Sequence, residues 1–263
     1  MTTRKPTAAP TATERAARGT DSALARPGAR LPETQRSSDA EVAEFLANLK
    51  TLAPVAGKGR GRLIFAMDAT MSQAPTWDMA LKLQGDMFGA VKEVGGLDVQ
   101  LVYFRGTGEC RASKWVSDPD ALARLMASVS CHGGLTQIGR VLSHALEESG
   151  ARKVNALVYV GDCMEESIDA LCARAGELAL RGVPVFVFQE GDDANADRAF
   201  REIARLSAFC RFDRGSARQL RELLTAVAVY AAGGRKALLA LSGKSDRGGA
   251  RRLLEQLYPP PGR

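Results

Sequence analysis

LIFAMDATMSQAP, residues 63–75, begins as a continuous apolar run and stops at an aspartate. A continuous apolar strand, as RLIFAM is after Arg62, is expected where helices cover both faces of a sheet. Asp68 ends it, Thr70 and Ser72 follow at alternate positions, and Pro75 suits the first turn of a helix. Small oxygen-bearing side chains at the end of a buried strand have two uses. They satisfy backbone groups in turns and helix caps, or they converge on a ligand.

Working outward, the pattern alternates. A helix is expected over 75–94, with Trp77, Leu81, Phe88 and Val91 on one face and Gly95-Gly96 ending it. Strands follow at 98–104 and 112–116, a helix from Asp118-Pro119 to about Val129, and another from Thr136 that carries Ile138, Val141, Leu142, Ala145 and Leu146. Then come a strand at 154–160, a helix at 165–180, a strand at 183–188, a helix at 195–206, a strand at 208–212 and a helix at 216–231. Helical pieces at 234–241 and 247–257 close the chain. Alternation of this length specifies an α/β fold: a Rossmann-like, doubly wound, mostly parallel sheet with helices on both faces.

The composition supports a globular reading, with 45% hydrophobic and 25% charged residues in 263. No apolar run approaches the roughly 20 residues of a membrane-spanning helix, and the N-terminus carries no apolar signal core. The net charge of +6 sits on the ends: residues 1–38 hold 7 basic and 3 acidic groups, residues 233–263 hold 7 and 2. Basic ends attract nucleic acid, but only Tyr258 interleaves an aromatic there, so a solvated tail is expected and a nucleic-acid partner is not. Four regions follow: a disordered basic tail over 1–37, an N-terminal helix (38–53) and Gly/Arg connector over 38–60, the α/β domain over 61–231, and a helical extension over 232–263. The five cysteines form no CxxC pair, which argues against structural disulfides and a zinc site and points to a cytoplasmic setting. GKGRGR (57–62) precedes a strand rather than following one, and SGKS (242–245) follows a helix and lacks the upstream glycine, so neither is a phosphate loop.

In open parallel sheets, ligands bind outside the carboxyl ends of the strands. Asp68 stands at such an end, and so does Asp162, after ALVYVG. If the two strands are neighbours, their carboxylates share a crevice, and unit charges about 4 Å apart repel by about 4 kcal/mol at an effective dielectric of 20. A proton or a cation must offset that. Thr70, Ser72 and Thr136 add neutral oxygens, while Cys163, His132 and His144 are taken as structural or incidental. An all-oxygen set suits a hard divalent ion, Mg²⁺ first and Mn²⁺ second.

DATMS (68–72) matches the D-x-[ST]-x-S signature of von Willebrand factor A domains. GGLTQIGRVLSHAL (133–146) resembles their second segment and LVYVGD (157–162) their third, in the family's order across roughly residues 61–231. The resemblance implies one antiparallel edge strand, placed at 112–116, and a metal-ion-dependent adhesion site at the crest of the sheet. It implies that Thr70 and Ser72 ligate directly, that Thr136 ligates or contacts through water, and that Asp68 and Asp162 act largely through waters. It also implies an open coordination position for a Glu or Asp carboxylate of a partner protein. Five oxygen ligands with no evident general base, nucleophile pair or cofactor loop lead to the expectation of a protein-binding module that performs no chemistry of its own. The chain departs from the family in carrying Gly161-Asp162-Cys163 for Thr-Asp-Gly and an additional Leu135 before Thr136.

DATMS also resembles the nucleophile motif of haloacid-dehalogenase-like phosphotransferases. That alternative makes Asp68 the nucleophile, Asp162 the Mg²⁺ ligand and Lys153 the phosphate-binding lysine. A third reading keeps the fold without a metal and binds through the basic ends.

Overall fold

The computed structural model describes residues 59–244 and 248–259. The tail 1–37, the helix expected over 38–53 and the start of the connector lie outside these residues. Six strands form one sheet: β1 (Gly61–Asp68), β2 (Leu97–Arg105), β3 (Glu109–Ala112), β4 (Ala156–Gly161), β5 (Val185–Glu190) and β6 (Ala208–Phe212). Their order is β3-β2-β1-β4-β5-β6, parallel throughout except for the antiparallel β2–β3 pair at one edge. The chain winds outward from β1 in one direction to β2 and β3, then in the other through β4, β5 and β6. The switch between the two lies at β1 and β4, where sites are expected.

Every residue of β1 is buried, and its side chains alternate between two cores as the strand period requires. Leu63, Phe65 and Met67 pack on one face against α1 (Ala74–Lys82), α2 (Gln84–Val91), α3 (Pro119–Ala127), α7 (Ala217–Ser242) and α8 (Gly248–Leu257). Ile64 and Ala66 pack on the other against α4 (Ile138–Ala151), α5 (Ile168–Leu180) and α6 (Ala194–Ile203). The doubly wound reading is thus the observed architecture.

Several elements differ from expectation for local reasons. The edge strand spans 109–112 rather than 112–116. Ser113 N–H still donates to the Leu101 carbonyl (2.8 Å), but its hydroxyl takes the Leu101 N–H (3.0 Å) where a strand would put a carbonyl, and an isolated Val99–Val116 bridge follows. The helix expected over 75–94 is broken at Leu83, because the Gln84 side chain donates to the Ala80 carbonyl (2.7 Å). The helices expected at 216–231 and 234–241 are the arms of one bent element, α7, kinked where Gly234 adopts φ 65°. At 26 residues α7 is long and apolar enough to cross a membrane, against the expectation that no run approaches that length. Its most apolar window is 61% buried inside the protein, as in a core helix.

α7 lies very close to the start of β1. A Cβ on Gly61 would meet the Ala231 carbonyl oxygen at 2.3 Å, and a backbone contact of that kind cannot swing aside. Gly61→Ala should therefore destabilise the fold by about 1–3 kcal/mol in denaturant unfolding. Gly89→Ala, on an exposed helical position with open space around it, should stabilise it by about 0.5–1 kcal/mol. Equal effects of the two would contradict the packing described.

Candidate functional site

Register places the two carboxylates. Met67 pairs with Val160 across β1 and β4, so Asp68 and Asp162 leave adjacent strands at the same end of the sheet. Both are buried, at 0% and 4% exposure. One carboxylate oxygen of each, with the sulfur of Cys163, falls within a span of 4.8 Å.

Turn chemistry accounts for only half of Asp68. Its Oδ1 accepts the Thr70 N–H at 2.7 Å, closing the turn after β1. Its Oδ2 is buried with no partner among the described residues, and the same holds for Asp162 Oδ1. A buried polar atom left unpaired is costly, and two of them on the ends of adjacent strands at a topological switch point call for a cation or proton. Thr70 and Ser72 are likewise not spent on capping: neither caps the short 3₁₀ turn Met71–Gln73, and their hydroxyls lie 3.1 Å apart. Asp68, Thr70 and Ser72 therefore form one cluster, and Asp162 joins it.

Thr136 reaches the same loop system by another route. Its segment is tied down by His132 N–H to the Ala69 carbonyl (3.0 Å) and Leu135 N–H to the Gly106 carbonyl (3.1 Å). Gly134 permits this, since a Cβ there would sit 2.3 Å from the Gly106 backbone. Thr136 does not cap α4, which begins two residues later than expected. Glu166 caps it instead, from the loop after β4, accepting the Ile138 and Gly139 N–H groups. The Thr136 hydroxyl instead donates to Glu165 Oε2 at 2.8 Å and accepts the Glu165 N–H at 3.2 Å. Thr136 is thus bound to the β4–α5 loop that carries Asp162, through a carboxylate which the sequence reading placed simply at a helix start.

Two further groups complete the crest. Arg214, from the turn after β6, brings its guanidinium to 3.6 Å from Asp162 Oδ2 while remaining 60% exposed. Gln73 donates to Glu190 Oε2 (3.0 Å), and Glu190 Oε1 accepts the Gly215 N–H (3.2 Å), which braces the loops on that side. Burial pushes the Asp68 carboxyl up to about 6 from an ordinary 3.8; the Thr70 hydrogen bonds oppose this, and the Asp162 and Glu165 charges add to it. Burial, with the Asp162 charge and the hydrogen bond to it, holds the Cys163 thiol far above its usual range. The sequence reading took this thiol as incidental; the structure sets its sulfur beside both carboxylates, so the crest is not an all-oxygen cluster.

Lys153 lies before β4, at the opposite end of the sheet from Asp68 and Asp162; its carbonyl contacts Arg62 there. A phosphate held at the crest is out of its reach, which removes the lysine required by the phosphotransferase reading.

No protein-family profile and no curated protein sequence matches the chain. Solved structures do match. The vWF domain of the type V pili tip protein Mfa5 from Porphyromonas gingivalis superposes with a TM-score of 0.51 at 9% identity, over 64% of this chain and 93% of that one. The pilus adhesin SpaC from Lactobacillus rhamnosus GG gives 0.52 at 12% identity, over 65% of this chain and 30% of that one. Proximal thread matrix protein 1 from the mussel byssus, with a zinc-occupied MIDAS motif, gives 0.51 at 16% identity, over 66% and 46%. The chain spans less than half the length of the latter two. The fold is that of a von Willebrand factor A domain.

The burial of Asp68 has a pH signature. The folded protein holds the Asp68 proton up to about pH 6, whereas the unfolded chain releases it near 3.8. The stability this provides is full below about pH 4 and is lost as pH rises through 6. Asp68→Asn removes the ionisation, so in ion-free buffer at pH 8 the variant should be the more stable by up to about 3 kcal/mol, a gain that vanishes near pH 4. Equal denaturation midpoints at pH 8 would contradict the environment described for this carboxyl.

Proposed function

We propose that this domain is a non-enzymatic protein-interaction module that holds a divalent cation at its crest and captures an acidic residue of a partner protein. Asp68, Thr70, Ser72, Thr136 and Asp162 form the proposed cation site, with Mg²⁺ or Mn²⁺ as the ion expected from their oxygens. The observation that carries the reading is the pair of buried, unpartnered carboxylate oxygens on Asp68 and Asp162, at the switch point of the sheet and beside the hydrogen-bonded hydroxyls of Thr70 and Ser72. When bound, the ion supplies the positive charge that those oxygens lack and an electrophilic position open to a further carboxylate. Thr70 and Ser72 orient it from the β1 loop. Thr136 approaches from the segment before α4 once Glu165 releases its hydroxyl.

The surroundings support a docking role. Met71 lies between Thr70 and Ser72 and is 62% exposed; Leu135 precedes Thr136 and is 55% exposed. These large apolar side chains flank the proposed ligands at the crest, giving a partner apolar contact around a central charged one. A pilus adhesin and a pilus tip protein share the fold, and one protein that shares it carries zinc in its MIDAS motif. Burial and the Asp162 charge push the Cys163 thiol up, which disfavours the thiolate that a nucleophile needs. The five free thiols suit a reducing compartment, so a cytoplasmic setting is part of the proposal.

Calorimetric titration of the full chain should give binding heat with Mg²⁺ or Mn²⁺ at about millimolar ion or below. Asp68→Ala and Ser72→Ala should abolish both the heat and EDTA-sensitive partner capture in a pull-down, with the far-ultraviolet circular dichroism unchanged. Met71→Ser with Leu135→Ser should keep the metal heat and lose the capture. Capture that survives EDTA and both alanine variants would overturn the reading.

A further inference from the structure

We propose that Cys163 is a metal ligand, and that the crest site takes zinc in preference to magnesium through one carboxylate oxygen each of Asp68 and Asp162 and the Cys163 sulfur. This deepens the cation-site reading and rests on it. The three ligand atoms come from the ends of two adjacent strands and lie within 4.8 Å of one another. Two of the three side chains are almost wholly buried, and each keeps an inward oxygen without a partner. Cys163 follows Asp162 directly and is half-buried at the mouth of the same crevice. The other cysteines are not part of the group, and the two histidines are engaged elsewhere, His132 with Ser130 and His144 with Gln100.

The donor set decides the ion. Mg²⁺ requires near-octahedral oxygen ligation and keeps several of its waters. Thiolate ligands select zinc and softer ions. Zinc held by three protein atoms at 2.0–2.3 Å leaves a fourth tetrahedral position open, and that geometry sets donors about 3.5 Å apart. The atoms must draw in by roughly an ångström from their widest possible separation. Cys163 lies in the loop between β4 and α5, where such a movement disturbs no strand pairing. On binding, the thiol gives its proton to solvent and its sulfur lone pair to the metal. Two carboxylates and a thiolate around a dication leave one negative charge, with the exposed Arg214 guanidinium 3.6 Å from Asp162 as the nearby cation. The open fourth position is the place for the partner's carboxylate.

Cobalt(II) is the probe. Titrating the full reduced chain with Co²⁺ should give tetrahedral d–d bands and a near-ultraviolet thiolate-to-cobalt charge-transfer band, reversed by equimolar Zn²⁺ and not by equimolar Mg²⁺. Cys163→Ser and Cys163→Ala, each checked for folding by circular dichroism, should lose the charge-transfer band and bind Zn²⁺ at least roughly tenfold more weakly. In Cys163→Ala the Mg²⁺ affinity should stay within about twofold of the parent, because that ion uses the existing oxygens alone. Mg²⁺ and Co²⁺ binding without a charge-transfer band, or a band that persists in both variants, overturns the Cys163 assignment and leaves the cation-site reading standing. Failure of Mg²⁺, Zn²⁺ and Co²⁺ alike to bind overturns both.

Discussion

Two carboxylates pressed into one buried crevice are the constraint on which this domain turns. β1 and β4 are adjacent and parallel, and their register brings Asp68 and Asp162 out together at the one place in the sheet where the winding reverses. Neither strand can slip to relieve the contact. A shift of one residue would send Leu63, Phe65 and Met67 into the wrong core, since successive side chains serve opposite faces. The apolar packing of β1 therefore fixes a polar arrangement that is unfavourable by itself, and the strain is carried at the crest.

The surrounding groups moderate that strain without removing it. The Thr70 N–H takes one oxygen of Asp68, and an exposed Arg214 stands at 3.6 Å from Asp162. An ion pair with so exposed a partner contributes little, and it leaves the inward oxygens of both aspartates unpaired. Glu165 and Glu166 draw the loop after β4 onto the segment before α4, through Thr136 and the α4 N-terminus. The three segments are thus pre-assembled by contacts independent of any ion. Loops held in this way carry less of the ordering entropy that opposes binding of a ligand.

Much of this was legible in the sequence, and what was not has identifiable physical causes. The continuous apolar runs ending at Asp68 and just before Asp162 announced covered parallel strands, and doubly wound topology made them neighbours. The edge strand was misplaced because one hydroxyl, Ser113, replaces a ladder carbonyl, and hydrophobic pattern does not register a side chain mimicking the backbone. The break at Leu83 has the same origin in Gln84. Glu165 and Glu166 read as ordinary acidic residues at a helix start; that they turn back to Thr136 and α4 is a tertiary fact. Lys153 was close to the motif in sequence and proved to lie at the far end of the strand. Arg214 and Met71 carried no signal, because a turn arginine and an isolated surface apolar residue are common; Leu135 stood out only as an additional residue before Thr136, not as an exposed apolar one. Cys163 shows no cysteine or histidine partner by spacing, and its nearness to Asp68 comes from the β1–β4 register, which cysteine spacing does not report.

The most direct test is crystallographic. Crystals grown in Mn²⁺ and measured for anomalous scattering should show one strong peak at the crest, between Asp68 Oδ2 and Asp162 Oδ1, and none when Asp68 is replaced by alanine. A crest without anomalous signal at saturating Mn²⁺, with the two carboxylates still side by side, would mean that they share a proton rather than an ion and would contradict the account.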